Sequence, residues 1–173
     1  MARYVELRRH TDNDGDALTE EGVRDALEIG KSLAGGYTLL VSTGAQRATQ
    51  TLACFAAMLR EPVPGGAVVE PGLRSRVEDR WREAYQRAGS GDLPALRDAD
   101  PELVEQDSAV LGAALRRVLE LLPEGGKALA VGHSPTNEAA VLGLTSEIVE
   151  PLGKGAGVLV VDEADRTRVE PLA

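Results

Sequence analysis

The sequence predicts an α/β fold: a three-layer αβα sandwich with a mostly parallel central sheet and an antiparallel hairpin at its C-terminal edge. Short apolar runs typical of strands alternate with longer stretches in which apolar residues recur every three or four positions, as on one face of a helix. This alternation favours parallel strands connected by helices. The last two strand-like runs are separated only by the turn EADR, which favours a hairpin.

The strands are predicted from short apolar segments bounded by turn residues. The first begins at Arg3, alternates polar and apolar side chains, and ends beside His10. The full set of predicted strands covers residues 3–9, 38–42, 67–69, 127–132, 157–161 and 167–171. Residues 11–17 are predicted to form a loop, because they combine four Asp or Asn residues with a glycine.

Four helices are predicted from the helical spacing of apolar residues. They cover about residues 19–34, 45–60 and 100–122, with a fourth that opens at Ser134. Thr19 and Asp100 are placed to cap the first and third helices, since their side chains can accept hydrogen bonds from free amides of the first turn. The buried face of the third helix is predicted to include Val110 and Leu121. Residues 61–99 show no clear pattern apart from one short strand.

Length and composition indicate a single globular domain, 1–173, because domains usually span about 100–200 residues. Hydrophobic residues make up 43% and charged residues 27% of the chain, which excludes collagen-like, disordered and disulfide-framework classes. The single Cys54 has no partner for an internal disulfide, and its apolar neighbours predict a buried thiol. No apolar run is long enough for a signal peptide or a membrane span, so we expect a cytoplasmic protein.

The charge of the chain restricts its partners. The formal net charge is −9, which disfavours binding to nucleic acid or to an anionic membrane surface. Aromatic residues make up only 3%, so few rings are available to stack on bases. We therefore expect neither nucleic acid nor a membrane as a partner. A small anionic substrate stays possible, because a local cluster of arginines can override the overall field.

Notable polar residues follow three predicted strands at the point where each strand ends. Arg9 and His10 end the first strand, Arg47 lies shortly after the second, and His133 and Ser134 follow the fourth. The carboxyl ends of parallel strands lie at one edge of a sheet, where ligands of open α/β sheets bind. The two histidines of the chain are therefore both predicted to lie at this edge.

These residue types fit a phosphate-binding pocket. Arg9 and Arg47 can form paired, charge-assisted hydrogen bonds to phosphoryl oxygens. The helix that opens at Ser134 presents free amides and the positive end of its dipole to the same anion. A neutral histidine there can attack phosphorus and form a phosphohistidine, while a carboxylic acid protonates the departing oxygen. Two histidines and one cysteine provide no metal-ligand cluster, so no metal or cofactor is expected.

Three motifs resemble the signature of the histidine phosphatase superfamily, also called phosphoglycerate-mutase-like. The run LRRHTDNDGDALTEEGVRDA resembles its opening strand with Arg-His and a polar loop, STGAQRATQT resembles its second motif, and VGHSPTNE resembles its third. The motifs occur in family order, and with their spacing they cover most of the chain. Because the long insertions of the glycolytic mutases are absent, the chain looks most similar to the small bacterial phosphohistidine phosphatases.

The resemblance implies a role for each matching residue. His10 would be the nucleophile, and Arg9, Arg47 and His133 would bind and polarise the phosphoryl group. Asn13 would assist from the loop after the first strand.

Two positions depart from the family pattern. Thr11 stands where these families usually have Gly or Ala, and its branched side chain is expected to narrow the pocket. Ser75 stands where the family often has the acid of a Leu-x-Glu pattern. Among the carboxylates that follow, we predict Glu78 as the general acid, with Asp79 and Glu83 as alternatives.

The stretch 74–87 is also rich in arginine. Glu78 and Arg82 are four residues apart, which on a helix predicts an ion pair. The arginines are either a solvated face balanced by neighbouring carboxylates or a docking surface for an acidic substrate, and Trp81 could anchor either.

Three functions are compatible with these residues. The first is a metal-independent phosphatase that hydrolyses a phosphomonoester or phosphoramidate through a phosphohistidine on His10. The second is a phosphomutase of the same superfamily. The third is a catalytically weak phospho-ligand-binding protein, motivated by Thr11 and by the missing acid. The substrate, either a small phosphorylated molecule or a phosphohistidine protein, and the oligomeric state stay open.

Overall fold

A computed structural model describes residues 1–172 of the chain. The strands are β1 (Arg3–Arg9), β2 (Asn13–Asp14), β3 (Ala17–Leu18), β4 (Leu39–Ser42), β5 (Ala67–Val69), β6 (Lys127–Gly132), β7 (Gly157–Asp162) and β8 (Thr167–Pro171). The helices are α1 (Glu20–Ser32), α2 (Gln46–Ala57), α3 (Glu78–Ala88), α4 (Leu93–Ala99), α5 (Pro101–Glu120) and α6 (Thr136–Thr145), with a short 3-10 helix at Pro71–Leu73.

The central sheet has the strand order β5-β4-β6-β1-β7-β8 over the described residues. Strands β5, β4, β6 and β1 run parallel to one another, whereas β7 pairs antiparallel with β1, and β8 with β7. Strands β2 and β3 form a small separate hairpin within the loop that follows β1. The predicted mostly parallel sheet with an antiparallel edge hairpin is confirmed.

Helices cover both faces of the sheet, which makes the fold a three-layer sandwich. Side chains of a strand alternate between the two faces, so each inner strand supplies both cores. On β4, Val41 packs in a core with Leu115 of α5, whereas Leu40 packs in a second core with Phe55 of α2. The first core also contains apolar residues of α3, α4 and α6, and the second includes Ala26 of α1.

The two predicted helix caps are confirmed. Thr19 Oγ1 accepts a hydrogen bond from the amide of Gly22 at 3.0 Å, and Asp100 Oδ1 accepts one from the amide of Leu103 at 3.2 Å. Each bond satisfies an amide that has no partner within its own helix. Within residues 1–172, no helix combines the length and apolar character that crossing a membrane requires.

Helices α3 and α4 lie in the stretch whose pattern was unclear. Only Trp81 and Ala84 of α3 are buried, so most of this helix carries polar side chains and shows little apolar periodicity. The prediction for the inner face of α5 was wrong at Val110 and at Leu121, which follows the helix, because both are exposed. Cys54 is partly rather than fully buried, and that burial raises the pKa of its thiol.

Candidate active site

Strands β1, β4 and β6 are neighbours, and their carboxyl ends lie at the same edge of the sheet. Arg9 pairs with Gly132 in the β1–β6 register, and the amide of His10 donates to the carbonyl of Gly132 at 3.0 Å. These pairings place His10 and His133 together, with ring centroids 5.4 Å apart and the rings inclined at 61°. The predicted meeting of the two histidines is therefore present in the structure.

The hydrogen bond of the His10 ring determines which nitrogen is free. Nδ1 lies 2.8 Å from the carbonyl oxygen of Thr11, which can only accept. Nδ1 therefore carries the hydrogen, and Nε2 carries the lone pair. His10 is only 6% exposed, so this ring is largely shielded from water.

Both histidines are held neutral at pH 7. Burial lowers the pKa of His10 to about 4, with smaller contributions from the charges of Arg47, Arg9 and Lys154, while the bond to Thr11 opposes the shift. Burial likewise lowers the pKa of His133 to about 3, helped by the charge of Arg47. A neutral imidazole is the form that can attack phosphorus.

His133 is fixed by contacts on its ring and on its backbone. Its Nε2 shares a hydrogen bond with Thr43 Oγ1 at 2.9 Å, at the end of β4. Its amide donates to Asn137 Oδ1 at 3.2 Å, and the amide of Asn137 donates to the carbonyl of His133 at 2.7 Å. Within residues 1–172, Nδ1 of this ring has no hydrogen-bond partner.

Two arginines, Arg9 at the end of β1 and Arg47 in α2, lie near the His10 ring. Arg9 Nη1 donates to the carbonyl of Leu152 at 2.9 Å, and Arg47 Nη1 donates to Asp16 Oδ1 at 2.8 Å. Each guanidinium has five N–H donors, so both retain capacity for an anion. Both charges lower the pKa of His10, which shows that they act on the same ring.

A cavity of about 240 Å³ opens in front of Arg47 and His133. Helix α3 forms much of its wall through Glu78, Trp81 and Tyr85. The remaining lining residues are Ser75, Arg82, Ser134, Pro135 and Thr136. His10 and Arg9 do not line this cavity, but His10 lies next to the end of it that His133 lines, which we call its inner end.

Comparison with solved structures places this arrangement in a known fold. The phosphoglycerate mutase of Bacillus anthracis str. Sterne matches with a TM-score of 0.72 and 18% identity, covering 99% of this chain and 92% of its own. A mycobacterial glucosyl-3-phosphoglycerate phosphatase matches with a TM-score of 0.73 and 16% identity, covering 99% and 98%. The protein histidine phosphatase SixA, complexed with tungstate, matches with a TM-score of 0.60 and 22% identity, covering 96% and 94%.

The chain has the histidine phosphatase fold. The match extends over nearly the full length of each of these structures, although sequence identity stays below a quarter. No family model matches the sequence, and no curated protein matches it.

Glu78 lies on the wall of the cavity. Its Oε1 accepts from Arg74 Nε at 2.6 Å, so the predicted ion pair with Arg82 was wrong. Arg82 instead pairs with Asp79 at 2.7 Å, and both side chains of this pair are largely exposed. Asp79 and Glu83 do not line the cavity.

Ser75, which stands at the position of the expected acid, is tied to a buried carboxylate. Its hydroxyl donates to Asp107 Oδ2 at 2.7 Å and accepts from the amide of Val77 at 3.1 Å. Trp81 Nε1 donates to the same carboxylate oxygen at 2.6 Å. Asp107 therefore fixes two residues of the cavity wall, a role that the sequence pattern did not indicate.

The structure also shows where three other predicted features lie. Asn13 does not line the cavity, and its amide donates to the carbonyl of Gly15 at 2.8 Å. Its Oδ1 accepts from Lys154 at 3.2 Å, and its role in binding substrate stays a prediction. Helix α6 begins at Thr136 rather than at Ser134, although Ser134 does line the cavity. Thr11 turns away from the cavity, because its hydroxyl donates to the carbonyl of Gly22 in α1 at 2.7 Å.

Two charged residues near the site were missed by sequence reasoning. Lys154 donates to Asp12 at 2.7 Å and lowers the pKa of His10 through its charge. Glu138 of α6 is fully buried, accepts from the hydroxyl of Ser134, and has its pKa raised by burial. The motif VGHSPTNE contains Glu138, but nothing in its pattern indicates complete burial. Among residues 1–172, no group of three or more His, Cys, Asp or Glu side chains could hold a metal ion.

Proposed function

We propose that the protein is a metal-independent phosphatase that hydrolyses a phosphomonoester or phosphoramidate through a phosphohistidine on His10. The observation that carries this proposal is the bond from His10 Nδ1 to Thr11, which leaves the Nε2 lone pair free. Arg9, Arg47 and His133 surround that ring and are suited to hold the phosphoryl oxygens.

The reaction would proceed in two displacements. In the first, the Nε2 lone pair of His10 forms a bond to phosphorus while the bond from phosphorus to the leaving oxygen or nitrogen breaks. Glu78, when protonated, would give its proton to the leaving atom. In the second, a water oxygen attacks phosphorus, the bond to Nε2 breaks, and the water proton passes to Glu78. Inorganic phosphate leaves, and His10 is again neutral.

The comparisons support this class of reaction without identifying the substrate. One similar structure is named a protein histidine phosphatase, and another a phosphatase for a phosphorylated sugar acid. By analogy, the substrate of this chain would be a small phosphorylated molecule or a phosphohistidine protein. The proposed compartment is the cytoplasm, the default for a chain with a single cysteine and no internal disulfide.

A phosphomutase is the second candidate, because one similar structure is a phosphoglycerate mutase. A mutase must keep its phosphoenzyme from reacting with water until the second substrate arrives. The lifetime of the phosphoenzyme therefore distinguishes the two activities. A weak phospho-ligand-binding protein would instead bind phosphate analogues and show no turnover.

The test is to trap the phosphoenzyme in the presence of EDTA. Wild-type protein is mixed with a labelled aryl phosphate and stopped in alkaline denaturant, in which a phosphohistidine survives. We expect label that is released by acid, and steady-state turnover that vanadate inhibits. Acid-stable label would indicate a different nucleophile, and loss of turnover in EDTA would contradict a metal-independent reaction.

The two histidines provide a matched pair of variants. His10→Ala should abolish both the label and turnover, because it removes the attacking nitrogen. His133→Ala should still form the label, with turnover slowed by about 10²- to 10³-fold, the usual cost of losing one donor to a developing charge. Wild-type turnover by His10→Ala would remove this residue from its proposed role.

A further inference from the structure

The cavity that leads to the phosphoryl site has an unusual balance of charge. Within residues 1–172, the ionised residues that line it are Arg47, Glu78 and Arg82. Each one already has a partner of opposite charge just outside the lining. The three ion pairs are Arg47–Asp16 at 2.8 Å, Arg74–Glu78 at 2.6 Å and Arg82–Asp79 at 2.7 Å. The wall between the phosphoryl site and solvent is therefore close to neutral.

The other arginines of the stretch 74–87 leave the charge of the cavity wall close to neutral. Arg80 and Arg87 both contact Asp100, at the start of α5, so their charges are also compensated. Arg76 has no ion-pair partner among the described residues, but it lies in a neighbouring surface depression and not on the cavity wall. The earlier alternative of a docking surface for an acidic substrate therefore loses its support.

The rest of the wall is aromatic and apolar. Tyr85 is 51% exposed and lines the cavity, and Pro135 lies on the same wall. Trp81 is held rigidly beneath them, because its indole N–H donates to the buried Asp107. An exposed ring on a fixed apolar base is a surface on which a planar group can stack.

We propose that this wall is a leaving-group subsite for a planar, uncharged group, and that the substrate carries its negative charge only on the phosphoryl group. The proposal rests on the proposed phosphatase function and narrows its substrate class. Arg47 is assigned to the phosphoryl group, so a second anionic group would meet only Arg82, whose charge Asp79 balances, and the negative charge of Glu78. The wall would therefore offer it no net attraction. A neutral ring needs no such attraction.

The first experiment compares phenyl phosphate with 3-carboxyphenyl phosphate, whose leaving groups are phenols of similar acidity. We expect kcat/KM to be at least about fivefold higher for phenyl phosphate, the factor that corresponds to about 1 kcal/mol. Equal values, or a preference for the carboxylated substrate, would overturn the proposal and leave the phosphatase function intact. Absence of turnover with both substrates would overturn the phosphatase function itself.

The second experiment removes the ion-pair partner of Arg82. Asp79→Asn leaves Arg82 without its carboxylate, so kcat/KM for 3-carboxyphenyl phosphate should rise by about two- to fivefold, the range of one exposed ion pair. The value for phenyl phosphate should not change. Asp25→Asn makes the same change of net charge on α1, across the sheet, and should alter neither substrate. No gain with Asp79→Asn, or the same gain with Asp25→Asn, would contradict the charge argument.

The third experiment tests the ring. Tyr85→Ala should raise KM for phenyl phosphate by about two- to tenfold, the usual range for one aromatic contact. The inhibition constant of inorganic phosphate should stay the same, because phosphate occupies only the inner end of the cavity. Tyr85→Phe keeps the ring and should keep the wild-type KM. If Tyr85→Ala weakens phosphate and phenyl phosphate equally, the ring supports the fold rather than a leaving-group subsite.

Discussion

The carboxyl group of Glu78 could serve as a proton donor at the cavity or as the ion-pair partner of Arg74. It lies on the cavity wall, where a proton donor is needed, and one of its oxygens accepts from Arg74. An ion pair with about a third of each side chain exposed is worth little in free energy. The pair can therefore open when a substrate enters, and Glu78 stays the best candidate for the acid.

The prediction for Glu78 depends on how difficult the leaving group is. Glu78→Gln should slow hydrolysis of an alkyl phosphate by about 10²-fold or more, because an alkoxide needs a proton to depart. Hydrolysis of an activated aryl phosphate should slow much less, since its phenolate leaves without needing a proton. Steady-state kcat/KM for the two substrates gives the comparison.

A matched variant on the same helix provides the control. Glu83→Gln makes the same chemical change on α3, but Glu83 does not line the cavity, so both substrates should be hydrolysed as by the wild type. Equal, small effects of Glu78→Gln on both substrates would mean that the acid lies elsewhere or that the enzyme has none.

Helix α2 is capped by a residue from a different part of the chain. Ala45, at its N-terminal cap position, has no side-chain bond to offer. Asp16, from the hairpin after β1, accepts from the amides of Gln46 at 3.2 Å and Arg47 at 3.3 Å, and also from the guanidinium of Arg47. One carboxylate therefore stabilises the helix and holds the guanidinium of Arg47.

Two substitutions separate these roles of Asp16. Asp16→Ala removes the cap and should lower the free energy of unfolding by about 1 kcal/mol in urea titrations. Asp16→Asn keeps an oxygen acceptor for the amides, so stability should stay near that of the wild type. It removes the charge that competes for Arg47, and the inhibition constant of inorganic phosphate should fall by about two- to fivefold. Weaker phosphate binding by Asp16→Asn would show that Arg47 needs the charge for its orientation.

The elements that the sequence predicts well are those whose signal is local. Strand β6 follows from one apolar run, and α1 and α5 follow from caps that lie within a few residues of the amides they bind. Helix α3 lacks such signals, because Val77 at its cap position makes no side-chain bond and only two of its residues are buried.

The candidate site likewise has features that the sequence predicts and features that it does not. His10 and His133 meet because the carboxyl ends of parallel strands share an edge, a rule that can be applied to the sequence. The partners of the wall residues cannot be predicted in this manner. Asp16 and Arg47 are 31 positions apart, and Ser75 and Asp107 are 32 apart. Those contacts depend on how α2 and α5 pack, which no local pattern encodes.

The stability of the folded chain as a unit depends on pH, because the fold keeps its two histidines neutral. A histidine of the unfolded chain titrates near pH 6.5, whereas the pKa of His10 is about 4 and that of His133 about 3. Between these limits the unfolded state binds protons that the native state does not. Stability therefore falls as the pH drops from about 6.5 towards 4, by up to about 1.4 kcal/mol per pH unit for each histidine.

Burial is the largest cause of both pKa shifts, and the charges around the rings add to it. His10 is flanked by Arg9, Arg47 and Lys154, and each of these cations disfavours a further positive charge. His133 is close to Arg47 and Arg74 as well, and the single opposing carboxylate, Asp16, does not offset the effect of burial. Glu138 acts in the opposite direction: burial raises its pKa, so at this group acidification stabilises the native state relative to the unfolded chain.

Urea unfolding at pH 7 and pH 5 tests the opposing effects of the two histidines and Glu138 on stability. The aspartates whose pKa values are lowered titrate below pH 5, so they contribute little to the difference between these two pH values. Wild-type protein should lose stability between the two values. His133→Gln should lose less stability over this range, since one group that takes up a proton on unfolding is gone. Glu138→Gln should lose more, since the group that opposes the effect of the histidines is gone. A wild-type stability that is unchanged or higher at pH 5, or identical losses in all three proteins, would mean that the histidines are not held neutral by the fold.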